Sequence, residues 1–583
     1  MTIKDQVKKI LFEAGASGEI ELLTPPKPEM GDLSFACFDL AKELKKNPVE
    51  VAKELAAVIA SVAKQSLDHE IAALPAVARN DNLIEKVQVM GPYLNFYLNS
   101  KVAAELILKE TADKNFGKSK SGKGKKIMVE YAHPNTHKPV HIGHLRNITT
   151  GESLCRIFEN AGYKVARVNY QGDVGLHIAK CLWGIEQLKT EYEQVRKGGI
   201  TAKAEFLGRA YAKGGQAYEE SEDAKKAIAE LNEKIYKKDK EVYKIYKETR
   251  QWSLEYFDTI YKRVGAKFDR LYFESETAEP GKKLVLANLK KGIFKASQGA
   301  VIFEGEKYGL HSRVFLNQKV LPTYEAKDLA LAGLQLKEYK PDMIYHVVAK
   351  EQTEYFRVLF KALELVYPKS IGKEKHLVYG WVSLKEGKMS SRTGNVVLAE
   401  WLLDEVKTKI FEVMKDHEMK DKPETIEKIA IAAVKYAFLR TGVLNDIVFN
   451  IQESVNLTGD SGPYLLYIIA RIKSILKKAE AVACHSRAGG NPGVVAQEEK
   501  VLLLRLADFP EVCETAAANA DPSKIAHYLL DLAQSFNVFY NACPVLKAEN
   551  EETVRFRLQI ISAVERVMTG GLYLLGVEAV EEM

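Results

Sequence analysis

The sequence predicts a multi-domain α/β protein in which a doubly wound parallel sheet with an insertion stands between a small α/β unit and an all-α domain. Three observations predict it. From Ile127 onward, short apolar runs alternate with stretches of helical periodicity, the pattern of parallel strands joined by crossover helices. Beyond residue 401 the helical period continues almost without strand-like runs. The length of 583 residues leaves room for three or four domains at roughly 150 residues each.

Taken in order, residues 1–112 form the small unit. A helix is expected over 3–14, a proline-rich turn over 25–32, a helix pair over 34–44 and 48–62, and a strand over 93–98 after the Gly91-Pro92 turn. Asn47-Pro48 supplies a cap and a first helical residue whose missing N–H has no partner to lose. Residues 113–126, with lysines among glycine and serine, read as a basic, flexible linker. Within 127–400, strands are expected at 127–131, 164–169, 301–303, 343–348 and 376–382, with helices over 143–160 and from 175. Residues 203–250 are rich in Lys and Glu and space Leu231, Ile235, Val242 and Ile245 as one helical face, so about 190–265 reads as a helical insertion on the sheet. Residues 401–583 are the all-α domain, broken by a glycine-rich stretch at 484–493 that suits an exposed loop.

A hydrophobic content of 46% with 28% charged residues excludes disordered, collagenous and membrane classes. No apolar run approaches the roughly 20 residues of a spanning helix, and Met1 opens on polar residues unlike a signal peptide, so a cytoplasmic location is expected. The net charge of +6 divides into −3 for 1–112, +5 for 113–126, +10 for 127–400 and −6 for 401–583. A polyanion is therefore expected at the cationic middle, with the acidic ends reading it by shape or stacking. The six cysteines are at least 26 residues apart and lack a Cys-x-x-Cys pair, which argues against a zinc ribbon or disulfide framework and for reduced, buried thiols.

Four histidines crowd one stretch: His133, His137, His141 and His144. Their spacing would line a helical face as in a metal site, but Pro139 interrupts any such helix. The better reading is a strand, a loop carrying Asn135 and Lys138, and a helix starting near His141. His141 and His144 then stand at a helix N-terminus, where N–H groups and the dipole favour anions, and Gly143 admits a nucleotide to the backbone.

His141-Ile142-Gly143-His144 resembles the first signature of the class I aminoacyl-tRNA synthetases, and Lys388-Met389-Ser390-Ser391-Arg392, about 245 residues later, resembles the second. The resemblance implies a Rossmann-like ATP-binding domain in which His141, His144 and Lys388 are catalytic, with Gly143, Gly380, Lys388, Met389 and Ser390 at the nucleotide. Pre-placed donors would stabilise charge on the phosphate oxygens as an amino-acid carboxylate attacks the α-phosphorus, with no covalent enzyme intermediate. The family usually carries a further lysine where Ser391 stands. Arginyl-tRNA synthetases commonly lack it, and a lysine ahead of the first motif, here Lys138, is thought to compensate.

The likeness to arginyl-tRNA synthetases extends to five positions implied to bind arginine: Glu130, Asn135, Tyr324, Asp328 and Gln352. The chemistry suits a guanidinium. Asp328 could accept a bidentate pair, Tyr324 four residues earlier could stack on the plane, Glu130 and Asn135 could meet the amino and carboxylate ends, and Gln352 could bridge them. Asp173 is expected to fix its loop, while Leu207–Tyr211 and Lys267–Asp269 match the family without an assigned role. The ends resemble the tRNA-elbow and anticodon domains, with Tyr464 and Arg471 expected to be exposed RNA contacts and Tyr528, Phe536, Phe539 and Tyr540 expected in the core.

The implied reaction is activation of L-arginine by ATP and transfer to tRNA(Arg), with Mg2+ accompanying ATP, by a chain expected to be monomeric. A nucleotidyltransferase for a small acid would leave the helical tail unexplained, and an inactive synthetase relative would show damaged motifs. A cysteinyl enzyme would want zinc-binding cysteines, and a glutamyl enzyme a cationic pocket.

Overall fold

The structure is a computed structural model and describes residues 2–18, 20–65, 83–385, 397–414, 422–481 and 494–583. The second signature at 388–392 and the expected loop at 484–493 lie outside the described residues.

The N-terminal unit contains α1 (Ile3–Glu13), β1 (Leu22–Leu23), β2 (Leu33–Ala36), α2 (Phe38–Leu44), α3 (Pro48–Gln65), β3 (Ile84–Met90), β4 (Tyr93–Leu98) and α4 (Ser100–Thr111). Thr2 and Asp5 close a reciprocal cap on α1, and Asn47 Oδ1 accepts the Val49 N–H at 2.9 Å at the start of α3. The strands form an antiparallel sheet in the order β1-β2-β4-β3. The helix expected over 34–44 is half strand: Leu33–Ala36 pairs with Tyr93–Phe96, and the helix begins only after Cys37. Pairing with the buried centre of β4 overrides the local helical period there.

The basic segment is tied down rather than a free tether. Ser119 N and Gly122 N donate to the carbonyls of Asn160 and Ala161 at 3.0 and 2.9 Å, and Phe116 packs on Phe509.

The central domain runs β5 (Lys126–Glu130), α5 (Ile142–Asn160), β6 (Lys164–Gln171), α6 (Leu176–Gln187), α7 (Lys189–Val195), α8 (Ile200–Glu220), α9 (Glu222–Lys237), α10 (Lys240–Arg263), β7 (Arg270–Phe273) and α11 (Glu274–Leu289). It continues through β8 (Lys295–Ser297), β9 (Ala300–Phe303), β10 (Arg313–Leu316), α12 (Tyr324–Glu338), β11 (Met343–Ala349), α13 (Thr353–Val366), β12 (Glu374–Tyr379) and β13 (Val382–Leu384). The main sheet is parallel, in the order β12-β11-β5-β6-β7. Its order reverses between β5 and β11, so the crevice at their carboxyl ends is where a ligand belongs.

Three strand expectations change. Residues 300–303 join the small antiparallel sheet β10-β9-β8, the short edge strand β7 was not anticipated, and 376–382 divides into β12 and β13 around Gly380-Trp381. Helices α7–α10 form the insertion, with their own core around Phe206, Ile228, Ile235 and Trp252, while Ile245 reaches the surface.

The last domain comprises α14 (Ala399–Val413), α15 (Pro423–Leu439), β14 (Ile447–Phe449), α16 (Ile451–Ser454), α17 (Gly462–Ala481), α18 (Gln497–Ala507), α19 (Phe509–Asn519), α20 (Ser523–Ala542) and α21 (Glu551–Leu574). β14 pairs in parallel with β13, an interruption the helical pattern concealed. The two ends of the chain touch: Lys500 Nζ lies 2.7 Å from Asp32 Oδ2, and Lys4 Nζ lies 2.8 Å from Asp508 Oδ1. The basic segment and the helical domain also dock on α5, where Asn160 Nδ2 donates to Gly117 O at 2.6 Å and Ser153 Oγ to Leu574 O at 2.8 Å.

Cys37, Cys155, Cys181, Cys513 and Cys543 are buried free thiols, and Cys484 is outside the described residues. Among the described residues no helix is long and apolar enough to cross a membrane.

Candidate active site

The loop leaving β5 crosses the carboxyl edge of the sheet in a strained path, with positive φ at Ala132, His133 and His137. Every part of it is anchored. Ala132 N donates to Asn147 Oδ1 at 2.6 Å, His133 N to Asn169 Oδ1 at 3.1 Å, Thr136 N to Gly172 O at 2.9 Å and His137 N to Ser253 Oγ at 2.9 Å. Helix α5, strand β6 and the insertion thus hold one loop. His137 is fully buried, with Nε2 2.8 Å from Thr249 Oγ1, and serves packing. His133 Nε2 is buried without a partner among the described residues.

His141 is the N-cap of α5. Its Nδ1 accepts the Gly143 N–H at 3.1 Å, and its own N–H donates to His144 Nδ1 at 3.2 Å. The two rings lie 3.8 Å apart. Because each Nδ1 accepts, each ring carries its proton on Nε2. Burial above all, with the charge of Lys138 adding, presses the His141 pKa down to about 4. Burial and then His141, His133 and Lys138 hold His144 well below the ordinary value. Both rings are neutral donors at physiological pH. A Cβ at Gly143 would lie 2.9 Å from His141 Cε1, so the glycine leaves room for this capped turn. Lys138 Nζ rests 5.0 Å from the centre of the Tyr211 ring.

On the other side of β5, Glu130 is buried and meets His346 Nδ1 at 3.0 Å, while Gln335 Nε2 donates to it. His346 Nε2 is 2.8 Å from Glu374. Burial opposes both charges, but Glu130 and Glu374 together push the His346 pKa up to about 10, and His346 holds Glu130 below the usual carboxylate range. None of His346, Gln335 and Glu374 stood out in the sequence.

Asp328, on α12, has a different fate. Its Oδ2 accepts the Tyr355 hydroxyl at 2.5 Å, and among the described residues no cation pairs with it. Burial, with Glu130 and Glu274 adding to it and the Tyr355 hydrogen bond opposing, pushes its pKa up to about 8. Tyr324, one turn earlier, is 59% exposed, with Lys327 Nζ 5.0 Å from its ring centre. Lys327 forms a buried ion pair with Glu274 at 2.5 Å. Asn135 bridges to Gly172, whose missing Cβ makes room for the Asn135 amide. Gln352 is exposed on the turn after β11.

Asp173 accepts from Ser275 N, Ser275 Oγ and Arg250 Nε at 2.7–2.8 Å, which ties its loop to α10 and α11. The family-like Lys267–Asp269 stretch serves packing: Lys267 O accepts the Tyr131 hydroxyl at 3.0 Å, and Asp269 Oδ2 accepts Arg167 N at 2.8 Å. Gly380 lies at the β12–β13 break, and its carbonyl accepts from Arg146 Nη1 at 2.6 Å. Lys388, Met389 and Ser390 lie outside the described residues.

In the helical domain the expected exposure of Tyr464 fails and that of Arg471 holds only in part. Tyr464 is only 8% exposed, and its hydroxyl accepts from Asn537 Nδ2 at 2.7 Å, because the first turn of α17 faces α20. Arg471 is half-buried between the rings of Tyr467 and Tyr540, 5.2 and 5.1 Å from their centres. Tyr528, Phe536 and Phe539 are buried and Tyr540 is half-buried.

Residues 106–451 match the family described as tRNA synthetases class I (R), catalytic domain; 465–583 match the DALR anticodon binding domain, and 1–98 the arginyl tRNA synthetase N terminal domain. The arginine–tRNA ligase of Treponema denticola is 34% identical over 97% of this chain and 95% of its own length. That of Clostridium perfringens is 32% identical over 96% and 95%. Among solved structures, the Thermus thermophilus arginyl-tRNA synthetase superposes with a TM-score of 0.81 at 26% identity, covering 100% of this chain and 99% of that one. The Plasmodium falciparum arginyl-tRNA synthetase shares the fold, with a TM-score of 0.75 at 20% identity and the same coverage.

Proposed function

The chain belongs to the arginyl-tRNA synthetases of class I, and from that premise we propose which of its residues carry the reaction. The enzyme activates L-arginine with ATP to arginyl-adenylate and transfers the arginyl group to the 3′-terminal ribose of tRNA(Arg).

ATP lies against the first turn of α5, where the Nε2–H groups of the neutral pair His141 and His144 donate to phosphate oxygens. Gly143 admits the nucleotide to the backbone, and Gly380 lies on its other flank. Lys138 adds positive charge beside the histidines, in place of the lysine missing at Ser391. Lys388, with Met389 and Ser390, neutralises the departing pyrophosphate. The arginine carboxylate attacks the α-phosphorus, and charge gathers on oxygens that these groups already face.

Arginine enters with its guanidinium on Asp328 and against the Tyr324 ring, its α-amino and carboxylate groups near Glu130, Asn135 and Gln352. Glu130 acts here within a buried cluster with His346 and Glu374. The observation that carries this reading is Asp328 itself, a buried carboxylate among other acids that lacks a cation among the described residues. Such a group is stabilised by a guanidinium and by little else. Asp328→Asn should raise the arginine KM far more than the ATP KM; equal effects on both would overturn the assignment.

Magnesium arrives on the ATP phosphates. The cation is then held chiefly by phosphate and water. The acidic end domains read the tRNA elbow and anticodon, with Arg471 at the latter. The chain acts as a cytoplasmic monomer, which sedimentation with and without tRNA tests.

A further inference from the structure

Helix α5 carries a buried charge for which the reaction as described has no use. Arg146 stands two residues beyond His144, is 1% exposed and has no carboxylate in ion-pair contact among the described residues. Burial alone brings its pKa down, to about 10, which leaves it charged at neutral pH. Its guanidinium chelates four main-chain carbonyls. Nη1 donates to Gly380 O at 2.6 Å and Trp381 O at 2.8 Å, and Nη2 donates to Val443 O at 3.1 Å and Asn445 O at 2.8 Å. The Tyr379 ring lies 5.7 Å from its centre.

Four neutral acceptors are a costly way to fill a core, since apolar side chains of similar volume pack such sites without desolvating a charge. What the planar fork adds is geometry, because one rigid group fixes two chain segments at once. The first, Gly380-Trp381, is the break where the nucleotide-binding sheet hands over to β13. The second, residues 443–445, leads into β14. The segments are also bound to each other: Gly380 N donates to Val443 O at 3.0 Å, and Trp381 N to Asp446 Oδ1 at 2.7 Å. The Asp446 carboxylate is taken by Lys350 at 2.8 Å, at the end of β11. The neighbouring Asn147 performs the matching task on the other flank, donating to Val347 O at 2.6 Å while accepting from Ala132 N.

We propose that Arg146 is a positioning residue for the adenylation step, locking the first turn of α5 and its two histidines against the Gly380-Trp381 flank of the ATP site. The proposal rests on the site reading given above. Helix and flank approach the nucleotide from opposite sides, and their separation sets whether the histidine donors meet the phosphates. Lysine at this position keeps the charge but cannot span four carbonyls.

The test compares Arg146→Lys and Arg146→Met in the full chain, by arginine-dependent pyrophosphate exchange with tRNA(Arg) present and by thermal unfolding. Arg146→Lys should lower the exchange kcat about tenfold or more and raise the ATP KM about threefold, with the arginine KM within about twofold. Arg146→Met should lose as much activity per folded molecule even if it melts no earlier. Native kinetics per folded molecule in either variant, or equal shifts in both KM values, would overturn the proposal. Should neither variant fold, Gly380→Ala presses on the same carbonyls with the cation retained, because its Cβ would meet the Asn445 carbonyl. It must show the same split between the ATP and arginine KM values, and an equal shift in both again overturns the idea. His144→Ala separates the two levels. If it leaves exchange intact, the site reading itself fails; if it abolishes exchange while Arg146 is dispensable, only this inference fails.

Discussion

Glu130 and His346 are register partners on adjacent parallel strands, and their buried side chains meet at 3.0 Å. His346 stands between Glu130 and Glu374, so one buried cation is shared by two carboxylates and neither acid is left without a partner. His346→Gln should therefore destabilise the protein by about 3–5 kcal/mol, the usual cost of leaving a buried charge unpaired, and adding Glu130→Gln should recover part of it. Urea unfolding of the two single variants and the double variant measures this. The pH dependence has a definite sign. The folded pKa of His346 is raised from 6.5 to about 10, so its contribution is complete below pH 6.5 and is lost as pH rises towards 10.

Arginine binding is expected to release a proton. With its pKa at about 8, Asp328 is largely protonated at pH 7, and a bound guanidinium favours the ionised form. The arginine KM should fall up to about tenfold per pH unit as pH rises towards 8 and level off above it. Asp328→Asn should flatten the slope. Titration calorimetry in buffers of different ionisation enthalpy reports the proton directly, and a KM independent of pH between 6 and 8 in the native chain would contradict the expectation.

The signature histidines should be silent near neutral pH. Because the His141 pKa lies at about 4 and that of His144 is also depressed, neither ring changes charge between pH 6 and 8. Their ring resonances should show no midpoint near 6.5, and any acid limb they impose on adenylation should begin below pH 5. His144→Ala should slow adenylation by about two to three orders of magnitude.

The two residues first grouped as RNA contacts should now part company. Tyr464→Phe removes a buried hydroxyl and leaves Asn537 without its acceptor, so about 1–2 kcal/mol of stability should go while the tRNA KM stays unchanged. Arg471→Ala exposes the Tyr467 and Tyr540 rings and should raise the tRNA KM without altering the arginine KM.

Sequence periodicity makes the parallel sheet legible because strands buried on both faces read as continuous apolar runs. β7 escapes such a reading: Arg270–Phe273 is only four residues long and opens on a charge, too short to sustain an apolar run. The short β13–β14 pair hides in the same way, since neither three-residue strand sustains a period. Motifs bring His141, His144 and the acidic positions to notice. His346 and Gln335 could not be noticed, because their partnership with Glu130 depends on strand register and on a helix packed across the sheet. Tyr464 misleads because a glycine- and serine-rich approach resembles an exposed loop, while the helix it opens turns that ring inward.

Helix α5 gives the molecule a fixed ruler. Its first turn holds the two signature histidines, and its later turns bear Ser153, which anchors the helical domain at Leu574, and Asn160, which anchors the basic segment at Gly117. Its 19 residues span about 28 Å, and each added residue would rotate one end by about 100° against the other. Length changes elsewhere can be absorbed by loops, but one here would swing the helical domain and the basic segment out of phase with the signature histidines, so the residue count of this helix is fixed by what it joins.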